Sequence, residues 1–122
     1  MCVDLAVWEG PQPVSDDEAA RTFSALYRRF VKAEHDTPPT ERIAAYVGAL
    51  LDRYPDLTEL DDDAIEDSPW TDGPMIHNAS GQVFFLNVVA NEAGEDAWAY
   101  AISTSRSAGL VCFDPESGAL AT

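Results

Sequence analysis

The chain has 122 residues, of which 22 are acidic and 7 basic, giving a formal charge of -15. That length suits one domain, and a 46% hydrophobic fraction with 10% aromatics supports a packed core rather than global disorder. So few cations exclude nucleic acid and an anionic membrane surface as partners, because both need clustered Lys and Arg.

The opening, MCVDLAVWEG, carries Asp4 inside its apolar stretch and has no basic leader, so no secretion signal is expected and a cytoplasmic location is. No apolar run nears the roughly 20 residues of a spanning helix. Val3, Leu5 and Val7 alternate with Asp4, Ala6 and Trp8, the period of a strand. Gly10, Pro11 and Pro13 end it. Ser15-Asp16-Asp17-Glu18 reads as a capping box, and Ala19, Ala20, Phe23, Leu26, Tyr27, Phe30 and Val31 then recur as one apolar stripe, which predicts a helix over 15–33.

Thr37-Pro38-Pro39 opens a second helix, with Thr37 as its cap and Pro38 at its first position. Ile43, Val47, Leu50, Leu51 and Tyr54 form the stripe, and Pro55 ends it. The acidic linker from Asp56 to Gly73 holds Leu57, Leu60, Ile65 and Trp70, so it packs down in places, with a short helical turn near 58–66. Strands are expected at Pro74–Asn78 and Gln82–Val89, joined through Ala79-Ser80-Gly81. The second has no polar face and reads as a central strand, covered on both sides. Glu92 to Ala108 predicts a third helix stopped at Gly109. Leu110–Phe113 forms a further strand, and Ala119-Leu120 a short edge strand after the Asp114–Gly118 turn. The expected fold is therefore α+β, in the order β-α-α-β-β-α-β. It is a single 1–122 domain with one mixed or antiparallel sheet of four to five strands and three helices, a two-layer sandwich related to ferredoxin-like folds.

The charge is unevenly spread. Arg21, Arg28, Arg29, Lys32, Arg42 and Arg53 hold nearly all the positive charge, while 54–105 contains eleven carboxylates and no Lys or Arg. Within that stretch, Ser68-Pro69-Trp70-Thr71-Asp72-Gly73-Pro74 holds an aromatic between prolines beside an acidic run. A Trp so placed can anchor a partner or pin the linker to the sheet.

The other candidate chemistry is thinner. Cys2 and Cys112 lack CxxC or CxxH spacing for a metal; they could meet if the first and fourth strands were neighbours, but free thiols in a core sheet fit a reducing compartment better. His35 falls in the link between the first two helices. Ser68, Asp72, His77 and Ser80 allow a hydrolytic triad to be drawn, without a nucleophile elbow to support it. Asp61–Asp67 departs from a calcium loop, since Glu66 stands where glycine is required. Asp4 and Asp114, on strand ends, could form a dyad, although turn hydrogen bonding is the ordinary use of Asp114 before Pro115. No glycine-rich phosphate loop follows a strand. No catalytic residue, metal site or cofactor is therefore assigned.

The segments VDLAVWEG, PPTERIAAYVGALLDRYPDL, SPWTDGP with NASG, and GLVCFDPESGAL resemble those of a group of small actinobacterial α/β proteins, across most of the chain. The closing Gly109-Leu110-Val111 element with Asp114-Pro115 is similar to one in immunity proteins of bacterial polymorphic toxin systems. That resemblance implies a non-enzymatic protein that neutralises a toxin. Electrostatics lead the same way: a toxic nuclease needs a basic cleft, and an acidic surface would steer to it and cover it. The partner-binding residues expected are Asp61, Asp62, Asp63, Glu66, Asp67, Trp70 and Asp72. The alternative is a housekeeping or structural domain whose acidity serves solubility. An open sheet edge would also let two copies pair as a homodimer.

Overall fold

The computed structural model describes residues 2–29, 38–71 and 74–121. Its elements are β1 (Cys2–Trp8), α1 (Asp16–Tyr27), α2 (Glu41–Arg53), a short α3 (Asp62–Ile65), β2 (Ala79–Ser80), β3 (Val83–Val89), α4 (Glu92–Ser107), β4 (Val111–Asp114) and β5 (Ala119–Leu120). The fold is α+β: one open antiparallel sheet in the order β2-β3-β1-β4-β5.

β3 (Val83–Val89) is an interior strand, paired with β2 on one side and β1 on the other, and β1 holds the middle of the sheet. Leu5 pairs with Leu86 on one side, and Ala6 pairs with Phe113 on the other. Two neighbours and two covered faces leave Leu5, Ala6, Val7 and Trp8 at 1% exposure or less. Side chains alternate along a strand, so β1 feeds two cores. Leu5 and Val7 join Phe84, Leu86, Val88 and Cys112 beneath α2 and α4, which supply Ile43, Tyr46, Val47, Leu50, Ala97 and Ala101. This sheet-and-helix pair is the sandwich. Ala6 and Trp8 face the other way, with Val83, Val111 and Phe113, against Ala19, Phe23 and Leu26 of α1. There Phe23 lies 5.3 Å from Phe113 and 5.9 Å, edge-on, from Phe85, arrangements that favour aromatic pairs beyond simple burial.

Local chemistry explains the element boundaries. Ser15 Oγ accepts from the Glu18 amide at 3.2 Å, as the capping box requires. The expected continuation of α1 to 33 falls, with Lys32 and His35, outside the described residues. The second helix begins later than expected. Its cap is Thr40, whose Oγ1 accepts from Ile43 N at 3.3 Å and whose own amide donates to Gly81 O at 2.8 Å. Pro38 and Pro39 therefore precede the helix, and Thr37 lies outside the described residues. Asn91 caps α4 through the Gly94 amide at 3.0 Å, and Gly109 stops it with φ at +72°.

The expected strand at Pro74–Asn78 is instead a 3-10 turn, Met75–Asn78. Asp56 Oδ2 accepts from Met75 N at 2.9 Å. That bond, with the full burial of Met75, draws the segment onto the α2 side of the core. The hairpin that remains is β2 to β3, and Gly81, at φ +54°, makes its turn.

Candidate functional site

The acidic linker is built as a strap. Asp56, 6% exposed, accepts from Thr58 N through Oδ1 as well as from Met75 N through Oδ2. Both oxygens of one carboxylate thus hold two ends of the strap. A 3-10 turn, Leu57–Glu59, and α3 follow, the latter capped by Asp61 Oδ1 on Ala64 N at 2.9 Å. The strap then returns to the sheet: Val89 N donates to Pro69 O at 2.9 Å, and Trp70 bridges Val88 in antiparallel register. With β2, this covers the outer edge of β3. The opposite edge is blunted too, since β5 has two residues and its Leu120 amide donates to Asp16 Oδ1 at 3.0 Å.

Trp70 does not fill the role of an exposed anchor. It is 2% exposed, its Nε1 donates to Tyr54 O at 2.8 Å, and its ring meets Tyr54 edge-on at 5.9 Å. A large apolar ring beside a sheet edge is more stable inside than out, so Trp70 pins the strap. Past Asp56, the described carboxylates of the strap lie on its outer side. Asp61, Asp62, Asp63, Glu66 and Asp67 are all exposed. Asp72 lies outside the described residues.

The fold adds acids that the sequence placed elsewhere. Glu66 and Asp67 meet Asn91, Glu92, Ala93 and Asp96, from the first turns of α4, around an open depression of about 470 Å³. One negative face therefore joins the strap to α4. Sequence reasoning placed Glu92 and Asp96 at the start of a helix but did not put them beside the strap. The proximity depends on the Trp70–Val88 bridge, because β3 leads directly into α4.

Next to this face is a second, different concavity. Val88, Val89, Gly94 and Trp98 form an apolar pocket of about 240 Å³, with Glu95 and Asp114 also among its described lining residues. Asp114 accepts from Glu116 N through Oδ1 at 3.0 Å, the turn role expected of it. It does not pair with Asp4. Asp4 accepts from Asn87 Nδ2, and strand alternation sends Asp4 to the α1 side and Asp114 to the α4 side.

The remaining candidates resolve simply. Cys112 is free and buried. Burial pushes its thiol up to about 11, the nearby Asp114 charge adds to the rise, and a hydrogen bond with Ser105 opposes it. Tyr46, whose hydroxyl donates to Ala101 O at 2.8 Å, is likewise raised by burial. Both stay protonated at neutral pH, the opposite of an activated nucleophile. The two cysteines are not opposite each other, although β1 and β4 are neighbours. Cys112 is opposite Val7, and Cys2 is opposite Val89 at the far end of β1. The five-residue offset between Cys2 and Val7 spans roughly 16 Å of strand, far beyond disulfide reach. Ser68 Oγ accepts from Trp70 N at 3.2 Å, a turn contact. Asp72 and the side chain of His77 lie outside the described residues, so the triad drawn from them has no described geometry. Among the described residues, no group of three or more His, Cys, Asp or Glu side chains is placed to hold a metal ion, and no helix is long and apolar enough to cross a membrane. Comparison with protein-family models, with curated proteins and with solved structures finds no match.

Proposed function

We propose that this protein binds a basic protein partner through its acidic strap face and acts as an immunity-type inhibitor of a toxin. The observation that carries the reading is the convergence of Glu66 and Asp67 with Glu92 and Asp96 around one open depression, flanked by exposed Asp61, Asp62 and Asp63. A dense negative face accelerates encounter with a positive one and discriminates against other acidic proteins. A nuclease toxin must carry the matching positive cleft for its own substrate. The strap is tied to the core at Asp56, Pro69 and Trp70, so the face is preorganised and little ordering cost falls on binding. A free buried thiol suits a reducing compartment, in keeping with an encounter in the cytoplasm.

The test is affinity capture from the native host, followed by calorimetry on the recovered protein. The expected partner is basic, and its affinity falls steeply with added salt. Reversing Asp61, Asp62 and Asp63 to Lys should slow association at least tenfold at low salt. Unchanged affinity and an unchanged salt dependence would falsify the assignment of this face.

A further inference from the structure

We propose that the apolar pocket between α4 and the ends of β3 and β4 receives one large aliphatic side chain of that basic partner, presented between cationic neighbours. The inference rests on the acidic-face reading and names the anchor beside it.

The chemistry of the pocket selects the side chain. Val88, Val89, Gly94 and Trp98 give it a wall that is almost entirely apolar, and Glu95 and Asp114 add little polar surface to it. A charged or amide head placed there would lose water and find few partners, which is costly, whereas an aliphatic group gains by leaving water. Size narrows the choice. An apolar cavity of roughly 150 Å³ takes a benzene ring, so about 240 Å³ is room for one side chain of the leucine or methionine class. Sites for drug-sized ligands are larger, at roughly 300–1,000 Å³.

The shape is fixed before a partner arrives. Gly94 brings the α4 backbone against β3 so closely that a Cβ there would stand 1.6 Å from Val89 O. Val88 is itself buried, and Val89 N is held by Pro69 O at 2.9 Å. Walls set by backbone contact keep their spacing, so filling the pocket costs little ordering.

Charge around the pocket selects the partner. Glu92, Glu95 and Asp96 are exposed on the same turns of α4 that carry Gly94 and Trp98. Ala93 lines the acidic depression and Gly94 lines the pocket, so the two concavities meet across a single turn. No Lys or Arg occurs between Tyr54 and Ser105 to offset these acids. An apolar centre inside a charged rim is the usual build of a binding hot spot. A side chain presented by an acidic surface is repelled there, a second copy of this chain at -15 included. One flanked by Lys or Arg is drawn in. Burying a single aliphatic side chain is too weak to hold a free hydrophobic molecule tightly, so the anchor acts together with the acidic face.

The experiment is an amide and indole NMR titration of the full chain with three capped peptides, Lys-Lys-Leu-Lys-Lys, Lys-Lys-Asn-Lys-Lys and Glu-Glu-Leu-Glu-Glu. The first should shift Val88, Gly94 and the Trp98 indole resonance saturably, together with Glu66, Asp67, Glu92 and Asp96. It should bind about tenfold more tightly than the second. The second should move the acidic face alone, and the third should move neither. Glu95→Lys, at an exposed position, should weaken the first peptide about threefold or more. Equal affinity of the leucine and asparagine peptides, with the pocket unmoved, overturns the proposal and leaves the acidic-face reading standing. Equal pocket shifts from the glutamate peptide overturn it as well, since the rim charge then selects nothing. Shifts from the first peptide confined to the pocket overturn the acidic-face reading, and with it the assignment of the pocket to the same partner. Pocket resonances that move as the protein alone is concentrated overturn the proposal in favour of a second copy.

Discussion

Gly94 offers a quantitative check on how α4 meets the sheet. Glycine in a helix normally costs about 1 kcal/mol relative to alanine, so Gly94→Ala would stabilise an unconstrained helix. Here the added Cβ would lie 1.6 Å from the Val89 carbonyl oxygen and 2.7 Å from its carbon. Both neighbours are backbone, held by the β1 pairing and by the Val89–Pro69 hydrogen bond. Relief requires about 1.5 Å of separation between α4 and β3, with loss of packing across Ala97 and Trp98. We expect a cost of about 3–4 kcal/mol, at the upper end for overpacking, and a net loss of about 2–3 kcal/mol after the propensity gain. Gly48→Ala is the control. Gly48 lies within α2, and a Cβ added there would meet nothing within 4 Å, so this variant should gain about 0.5–1 kcal/mol. Urea unfolding reads both, and at a slope of roughly 1–2 kcal/mol/M the midpoints should move about 1–3 M down and about 0.25–1 M up. If Gly94→Ala is as stable as the parent, the close approach of α4 to Val89 is wrong.

Two further measurements address the strap and the interior thiol. Trp70→Phe should lose about 1–2 kcal/mol by leaving Tyr54 O unpaired, and Trp70→Ala about 3–5 kcal/mol by opening the core; chemical denaturation with no loss in either variant would mean the ring is not buried. For Cys112 the sign follows from its raised pKa. The unfolded thiol ionises from near pH 9, whereas the folded one keeps its proton to about 11. Stability therefore falls as pH rises through that window, by on the order of 2 kcal/mol. Cys112→Ala should flatten the slope, and a thiol reagent should label Cys112 only as the protein unfolds. Rapid labelling of the native protein at pH 8 would contradict its burial.

Local signals were legible where one chemical device decides a boundary: the Ser15 cap, the Gly109 stop, the short turns of the strap and the two-residue final strand all follow from side-chain chemistry within a few positions. What the sequence could not rank was tertiary. Val83–Val89 and the opening strand are both apolar enough for the centre of a sheet, and only pairing with β4 decides for β1. The Met75–Asn78 segment has strand-like residues, yet a distant carboxylate, Asp56, takes its first amide. Trp70 could face either way on composition, and burial with a hydrogen bond to Tyr54 turns it inward. The acids of the strap were visible as a run. Their meeting with α4, and the pocket beside it, depend on contacts far apart in sequence.

The central position of β1 has a consequence for how the chain acquires its structure. Its partners are Val83–Val89 and Val111–Phe113, so β1 waits for strands that are synthesised much later than itself. Sheets that join such distant segments fold slowly, because a long loop must close before any contact repays its entropy. During that wait VDLAVW is an unpaired, aggregation-prone segment. The strap acids of the negative face, Asp61 to Asp67, are synthesised before β3 and β4, and like-charge repulsion between nascent chains keeps the exposed strands apart until the sheet can close.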